Sequence, residues 1–233
     1  MIDRLSVFFP CYNEEKNLER LIGQAASLLP AVANVWEILI VDDGSTDQTP
    51  RLAEEFAKKD ARIRHVRHAK NQGYGGALRT GFAQTRYGVV FYSDSDGQFD
   101  LPQITRLSSR LPEADIVCGF RIDRQDPWYR CFNAWAYNQL VRLLFGIRLK
   151  DIDCGFKMVR REVLDALTLK SPSQFISAEF LIKAHHRRFR IVQTGVDHHP
   201  RAFGKPTGNS LRAIFGSFRD LFRLWRELRR SAQ

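Results

Sequence analysis

Val89-Val90-Phe91-Tyr92, followed by Ser93-Asp94-Ser95-Asp96-Gly97-Gln98, sets a short apolar run directly against an acidic loop. The run has the length and the β-branched and aromatic content of a buried strand. The same junction occurs twice nearer the N-terminus. Leu5-Ser6-Val7-Phe8-Phe9 ends at Pro10 and leads into Tyr12-Asn13-Glu14, and residues 36–41, apolar apart from Glu37, lead into Asp42-Asp43-Gly44-Ser45. Further strands are expected at 63–66, 115–119 and 191–196. Helical spacing fills the intervals: 15–29 carries Leu18, Leu21, Ile22, Ala25 and Leu28 on one face, Asp47 can cap a helix bearing Leu52 and Phe56, 75–84 is rich in small residues, and another helix begins near Pro102. This alternation predicts an α/β fold, a single mostly parallel central sheet flanked by helices. Such sheets bind ligands beyond the carboxyl ends of their strands. The three acidic clusters are therefore expected to share one crevice.

The second half is less regular. Helices are expected at 128–145, where aromatics are frequent, and at 175–187, with a tight turn at Cys154-Gly155 inside 151–159. The tail from 209 to 230 reads as a long amphipathic helix. A chain of 233 residues, 44% of them hydrophobic, fits one domain with a sizeable core. The expected division is a catalytic domain at 1–208 and a basic helix at 209–233. No run approaches the ~18 consecutive apolar residues of a membrane span, and the N-terminus lacks a signal-peptide pattern, so a cytoplasmic location is expected. Cys11, Cys118, Cys131 and Cys154 form no close pair and read as buried thiols. The net charge of +10 suits nucleic acid, an anionic lipid surface or phosphorylated small molecules. Acidic clusters on the expected binding edge oppose nucleic acid.

Asp94 and Asp96 alternate along an extended segment, so both can reach one side. Two carboxylates with room for water and diphosphate oxygens suit Mg²⁺ or Mn²⁺, and Gln98 offers a neutral oxygen. The bland alternative is a solvated acidic turn. Asp42 and Asp43 can accept hydrogen bonds from a base or ribose, although Gly44-Ser45 could simply turn the chain. Pro10 and Tyr12 could form a stacking wall for a nucleobase. Glu14 could equally be a solvated residue in a helix's first turn.

Taken together, these segments resemble the family 2 glycosyltransferases. Phe9-Pro10-Cys11-Tyr12-Asn13-Glu14-Glu15 is similar to their opening motif, Val41-Asp42-Asp43-Gly44-Ser45-Thr46-Asp47 to their second, and Asn71-Gln72-Gly73-Tyr74-Gly75-Gly76-Ala77 to their Gly-rich stretch. Asp94 through Pro102 resembles the metal motif of the dolichol-phosphate mannose synthase branch, Asp151 through Phe156 its Asp and Gly-Phe turn, and Arg201-Ala202-Phe203-Gly204-Lys205 its basic closing motif. The resemblance spans roughly 5–210. It implies a GT-A nucleotide-diphospho-sugar transferase fold and an inverting, metal-dependent hexosyltransferase. GDP-mannose or a UDP-sugar would be donor, and a polyprenyl phosphate acceptor. Pro10, Tyr12, Glu14, Asp42 and Asp43 would bind the nucleoside. Asp94, Asp96 and Gln98 would hold the metal and donor diphosphate. Arg121, Arg130, Arg201 and Lys205 would surround phosphates, and Glu179 would face the sugar, with a surface ion pair as the alternative for Arg130 and Glu179.

Many members of that branch carry transmembrane helices after the catalytic domain. Here the tail instead interleaves Leu211, Ile214, Phe215, Phe218, Leu221, Phe222 and Trp225 with six arginines, the pattern of an interfacial helix at the cytoplasmic membrane face. Docking on its own domain, a partner subunit or a second copy are the alternatives. The competing functions are a family 2 transferase with a soluble or polysaccharide acceptor, a basic nucleic-acid-binding protein, and a sugar nucleotidyltransferase. The last lacks its Gly-rich, basic signature after the first strand.

Overall fold

The computed structural model describes residues 1–122, 128–201, 203 and 211–230. In chain order the elements are β1 (Ile2–Cys11), α1 (Glu15–Val32), β2 (Ala33–Asp42), α2 (Thr49–Lys59), β3 (Ile63–Arg67), α3 (Tyr74–Gln84), β4 (Val89–Ser93), α4 (Ile104–Ser108), β5 (Ile116–Ile122), α5 (Trp128–Phe145), β6 (Phe156–Arg160), α6 (Arg161–Ala166), α7 (Ile176–His186), β7 (Ile191–Asp197) and α8 (Leu211–Arg230). The seven strands form one sheet in the order β3-β2-β1-β4-β6-β5-β7. The expected α/β architecture is present, with one strand missing from the sequence reading. Residues 156–160, read as part of a turn-bearing segment, form β6. Lys157 interrupts the apolar run there, yet it is fully buried, its Nζ donating to the Cys154 carbonyl.

β6 decides how the carboxyl edge is built. β3, β2, β1 and β4 run parallel, whereas β6 is antiparallel to both β4 and β5. Its beginning therefore lies at the carboxyl end of β4. β5 and β7 run parallel to each other, so their ends return to the same edge. The boundary expected at 208/209 lies outside the described residues.

Strand alternation loads both faces of the sheet. Val7 and Phe9 of β1 join α1 and α4 residues such as Leu18, Ile22 and Leu107 on one side, and Phe8 joins Phe82, Tyr92 and Phe180 on the other. The Phe8 ring stacks on Tyr92 at 5.3 Å and meets Phe82 edge-on at 5.3 Å. Gly81 makes that approach feasible, since a Cβ there would sit 2.2 Å from the Phe8 ring. Glu37, the polar break in β2, is buried and satisfied by Ser6 Oγ at 2.7 Å, the Arg86 N–H at 2.8 Å and Arg64 at 3.1 Å.

α8 departs from the interfacial expectation. Leu221 and Leu224 are buried, and Phe218 and Leu228 pack on the same core. Phe218 meets Tyr137 of α5 edge-on at 5.9 Å, and Lys170 pairs with Glu227 at 2.9 Å. This part of the helix packs on its own domain, the docking alternative; Phe222 stays exposed, and the side chains of Leu211, Ile214 and Phe215 lie outside the described residues. Leu221→Ala is expected to cost roughly 2–5 kcal/mol in denaturant unfolding, whereas Phe222→Ala should change stability by about 0.5 kcal/mol or less.

Candidate active site

The loop after β4 is tied down from four directions. The Asp94 N–H donates to the Gly155 carbonyl at 3.0 Å, across the β4–β6 junction. Ser95 Oγ donates to the Pro10 carbonyl of β1 at 2.7 Å. The Tyr74 hydroxyl, at the start of α3, donates to Asp94 Oδ1 at 2.7 Å. Gln98 Nε2 donates to the His199 carbonyl at 3.0 Å, and the His199 N–H returns a bond to the Gln98 carbonyl at 2.8 Å. Gly155 leaves the room Asp94 occupies, because a Cβ there would lie 2.0 Å from Asp94 Oδ2.

Burial sets the charge state of this loop. It pushes the Asp94 carboxyl up to about 7, with repulsion from Asp96 adding to the effect and the Tyr74 hydrogen bond opposing it. Burial also raises Asp96, against the hydrogen bond from the Gln98 N–H at 3.1 Å and the nearby Arg201. Two half-buried like charges gain from a cation between them and their ligand. No group of three or more His, Cys, Asp or Glu side chains able to hold a metal occurs among the described residues. A cation here would complete its shell with substrate phosphates and water, which is the usual habit of Mg²⁺. The residues present fit a hard divalent cation on those terms.

The neighbouring loops complete the edge. Asp42 Oδ1 accepts from the Ser45 N–H at 2.8 Å, and Oδ2 pairs with Arg67 at 3.3 Å. Burial acts to raise Asp42, but His65 and Ser45 more than offset it and its carboxyl stays below the usual range. Asp43 Oδ1 accepts from the Gln72 N–H at 2.8 Å and contacts His68 Nδ1 at 2.6 Å. The second motif thereby anchors the Gly-rich stretch that delivers Tyr74 to Asp94. Asp47 accepts from the N–H groups of Thr49 at 2.9 Å and Glu15 at 3.2 Å, serving both helix starts. Asn13 holds a left-handed φ of 56°, and its side chain accepts from the Thr46 N–H at 2.8 Å.

Several expected residues stand differently from the sequence reading. Pro10 is buried inside β1, so Tyr12 alone of the two offers a ring to solvent. Glu14 is buried rather than solvated: it accepts from Asn17 at 2.6 Å and pairs with Arg201 at 2.6 Å, while burial raises its carboxyl. Arg201 also lies 3.8 Å from Asp96, which brings the closing motif to both the opening motif and the acidic loop. Arg121 makes a two-pronged pair with Asp151 at 2.7 and 3.0 Å. Burial would lower this guanidinium, but the Asp151 bonds hold it above its ordinary value. The pair borders a cavity of about 420 Å³ that is also lined by Trp135, Asn138 and Lys150.

Glu179 is not at the surface, and its ion pair with Lys183 is a buried one. It is buried on α7 and accepts from the Lys170 N–H at 3.0 Å, the Ser171 N–H at 2.8 Å and Lys183 Nζ at 2.6 Å. Those bonds fix the 170–172 loop, whose Pro172 carbonyl accepts from the Gly75 N–H at 3.0 Å beside Tyr74. Glu179 acts on the site through that loop. The Arg130 side chain and Lys205 lie outside the described residues. Tyr74, Ser95, Gly155 and Lys157 went unremarked as site residues, although Tyr74 stands in the Gly-rich stretch and Gly155 in the quoted turn.

A mostly parallel sheet with acidic loops gathered along its carboxyl edge is the GT-A glycosyltransferase fold. Glucosyl-3-phosphoglycerate synthase from Mycobacterium tuberculosis, solved with phosphoglyceric acid, superposes with a TM-score of 0.73 at 22% identity, over 94% of this chain and 80% of that one. The same enzyme with Mn²⁺, uridine diphosphate and phosphoglyceric acid gives 0.71 at 22% identity, over 94% and 78%. The chain belongs to Glycosyl transferase family 2, whose sequence profile matches residues 6–168. Glycosyltransferase AglD of Haloferax volcanii is 32% identical over 236 residues, which cover 96% of this chain and 37% of that protein. The chain thus spans well under half of that relative's length.

Two outcomes follow from the loop's electrostatics. Without a cation, the raised Asp94 carboxyl holds a proton that the unfolded chain sheds near its usual 3.8. Its contribution to stability is greatest below that pH and is lost as pH rises toward about 7. Mn²⁺ must displace the proton, so the Tm increment on adding Mn²⁺ is expected to shrink as pH falls through about 7. Tyr74→Phe removes the phenol that orients Asp94, and titration should show Mn²⁺ bound about 10- to 100-fold more weakly.

Proposed function

We infer that this chain transfers a hexose from a nucleotide-diphosphate sugar to an acceptor recognised through its phosphate, with Mg²⁺ or Mn²⁺ as cofactor. One observation carries the reading: the half-buried Asp94 and Asp96 share a sheet edge with two held arginines, Arg201 beside Asp96 and Arg121 over the 420 Å³ cavity. A site with carboxylates for a cation and guanidinium groups for phosphate suits two anionic substrates. The solved mycobacterial enzyme, which holds Mn²⁺, uridine diphosphate and phosphoglyceric acid on the same fold, supports this assignment.

Asp94 and Asp96, with Gln98 at the rim, would hold the cation, which supplies Lewis-acid stabilisation of the leaving diphosphate. The chain's own part is placement. Tyr74 and Gly155 fix Asp94, Ser95 locks the loop to β1, and the exposed Tyr12 ring lies beyond β1, where a base can stack. Asp43 braces the Gly-rich stretch beneath that position. Arg121, aligned by Asp151, and Arg201, aligned by Glu14, offset repulsion between donor and acceptor. A single displacement inverts the anomeric centre.

The acceptor divides into two classes. The phosphoglyceric acid bound by the solved relatives favours a soluble phosphorylated acceptor. A polyprenyl phosphate is the second class: a phosphate dianion, with a second pKa of about 6, attacks without a base, so it needs no carboxylate beyond those that would hold the cation. Radiolabelled GDP-mannose and UDP-glucose, each offered with polyprenyl phosphate or with phosphoglycerate, separate the two by product. Mn²⁺-dependent thermal stabilisation by one nucleotide diphosphate is expected, and Asp96→Ala should abolish it. Stabilisation that survives Asp96→Ala would overturn the site.

A further inference from the structure

Helix α5 is apolar on both of its faces. Inward, Tyr137 and Val141 are buried, with Leu140, Leu144 and Phe145 packed on the core. Outward, Trp128, Phe132, Trp135 and Leu143 are 80%, 57%, 58% and 81% exposed. Trp128, Phe132, Trp135, Gln139 and Leu143 recur at helical spacing, so the four apolar side chains share one face, interrupted at Gln139 and bordered by Arg142. The Phe132 and Trp135 rings lie 5.8 Å apart within it. A docked helix ordinarily turns polar residues to water, and an outward apolar stripe marks a second contact.

The composition around the stripe indicates which contact. Between 128 and 150 the chain has Arg130, Arg142, Arg148 and Lys150 and not one Asp or Glu. Arg142, Arg148 and Lys150 are exposed. Tryptophan rings suit the water–lipid boundary, aliphatic and phenyl groups the acyl region, and flanking cations anionic headgroups. A two-fold contact between copies would instead set these cations against themselves. We propose that the outward face of α5 is a membrane-contact surface that lies in the headgroup region of an anionic bilayer. On this proposal the lipid contact lies on α5, while Phe218, Leu221 and Leu224 of α8 pack on the domain. Trp135 also lines the cavity beside Arg121 and Asp151, so a bilayer-bound chain holds that cavity's mouth at headgroup level. The surface stands independently of which acceptor is used.

The test is co-sedimentation of the full chain with vesicles of phosphatidylcholine, with and without phosphatidylglycerol. Binding to the anionic vesicles, weakened by salt, is expected. Phe132→Ser combined with Leu143→Ser should lower the partition coefficient about tenfold or more, while Phe222→Ser on α8 leaves it unchanged. Melting temperature and nucleotide binding, measured on the same samples, should match the parent chain. Absence of vesicle binding would overturn the proposal, as would binding that the paired α5 substitutions leave intact, or a dimer that those substitutions dissolve. Vesicle binding without any lipid-linked sugar product would keep the surface and overturn the polyprenyl acceptor.

Discussion

Two carboxylates at the end of β4 are half-buried side by side, and much of the carboxyl edge is arranged around that cost. Desolvation favours protons on both Asp94 and Asp96, and repulsion from Asp96 adds to the effect on Asp94. The fold opposes this with oriented donors and fixed cations. Tyr74 offers a phenol, the Gln98 N–H meets Asp96, Arg201 stands nearby, and the Lys157 ammonium lies buried behind the loop, over the Tyr92 ring at 5.7 Å. On the proposed reading, the cation and its anionic ligand would complete what these donors begin.

The same economy explains the residues that touch no expected ligand position. Glu179 and Arg79 both bind the 170–171 backbone, one through its N–H groups and the other through its carbonyls. That loop presses on Gly75 and steadies Tyr74. Asp43 does the corresponding work from β2 by holding Gln72. A carboxylate in this fold can therefore serve the chemistry from a distance, by fixing the backbone that carries a closer group.

Much of this was legible in the chain itself. The apolar runs at 5–9, 36–41 and 89–92 announced buried parallel strands because such strands have no wet face. The acidic clusters behind them followed from strand direction alone. β6 was hidden because its fully buried Lys157 is compensated by a backbone carbonyl and an aromatic ring, a tertiary arrangement that leaves no local trace. The direction of the α8 apolar stripe was equally invisible, since periodicity shows that a stripe exists and not what covers it. The surroundings of Glu179 were hidden for a related reason: beside Lys183, its partners are backbone N–H groups supplied by another segment.

The antiparallel insertion of β6 has a bearing on how the protein comes into being. The β4 loop takes its shape from Gly155, His199 and, through Asp96, Arg201, all supplied much later in the chain. A ribosome-bound fragment that has emerged only as far as β5 contains every acidic motif and none of these closing contacts. The chain through Arg201 must leave the exit tunnel before the crevice exists, so a product truncated after β5 retains these motifs without the pocket.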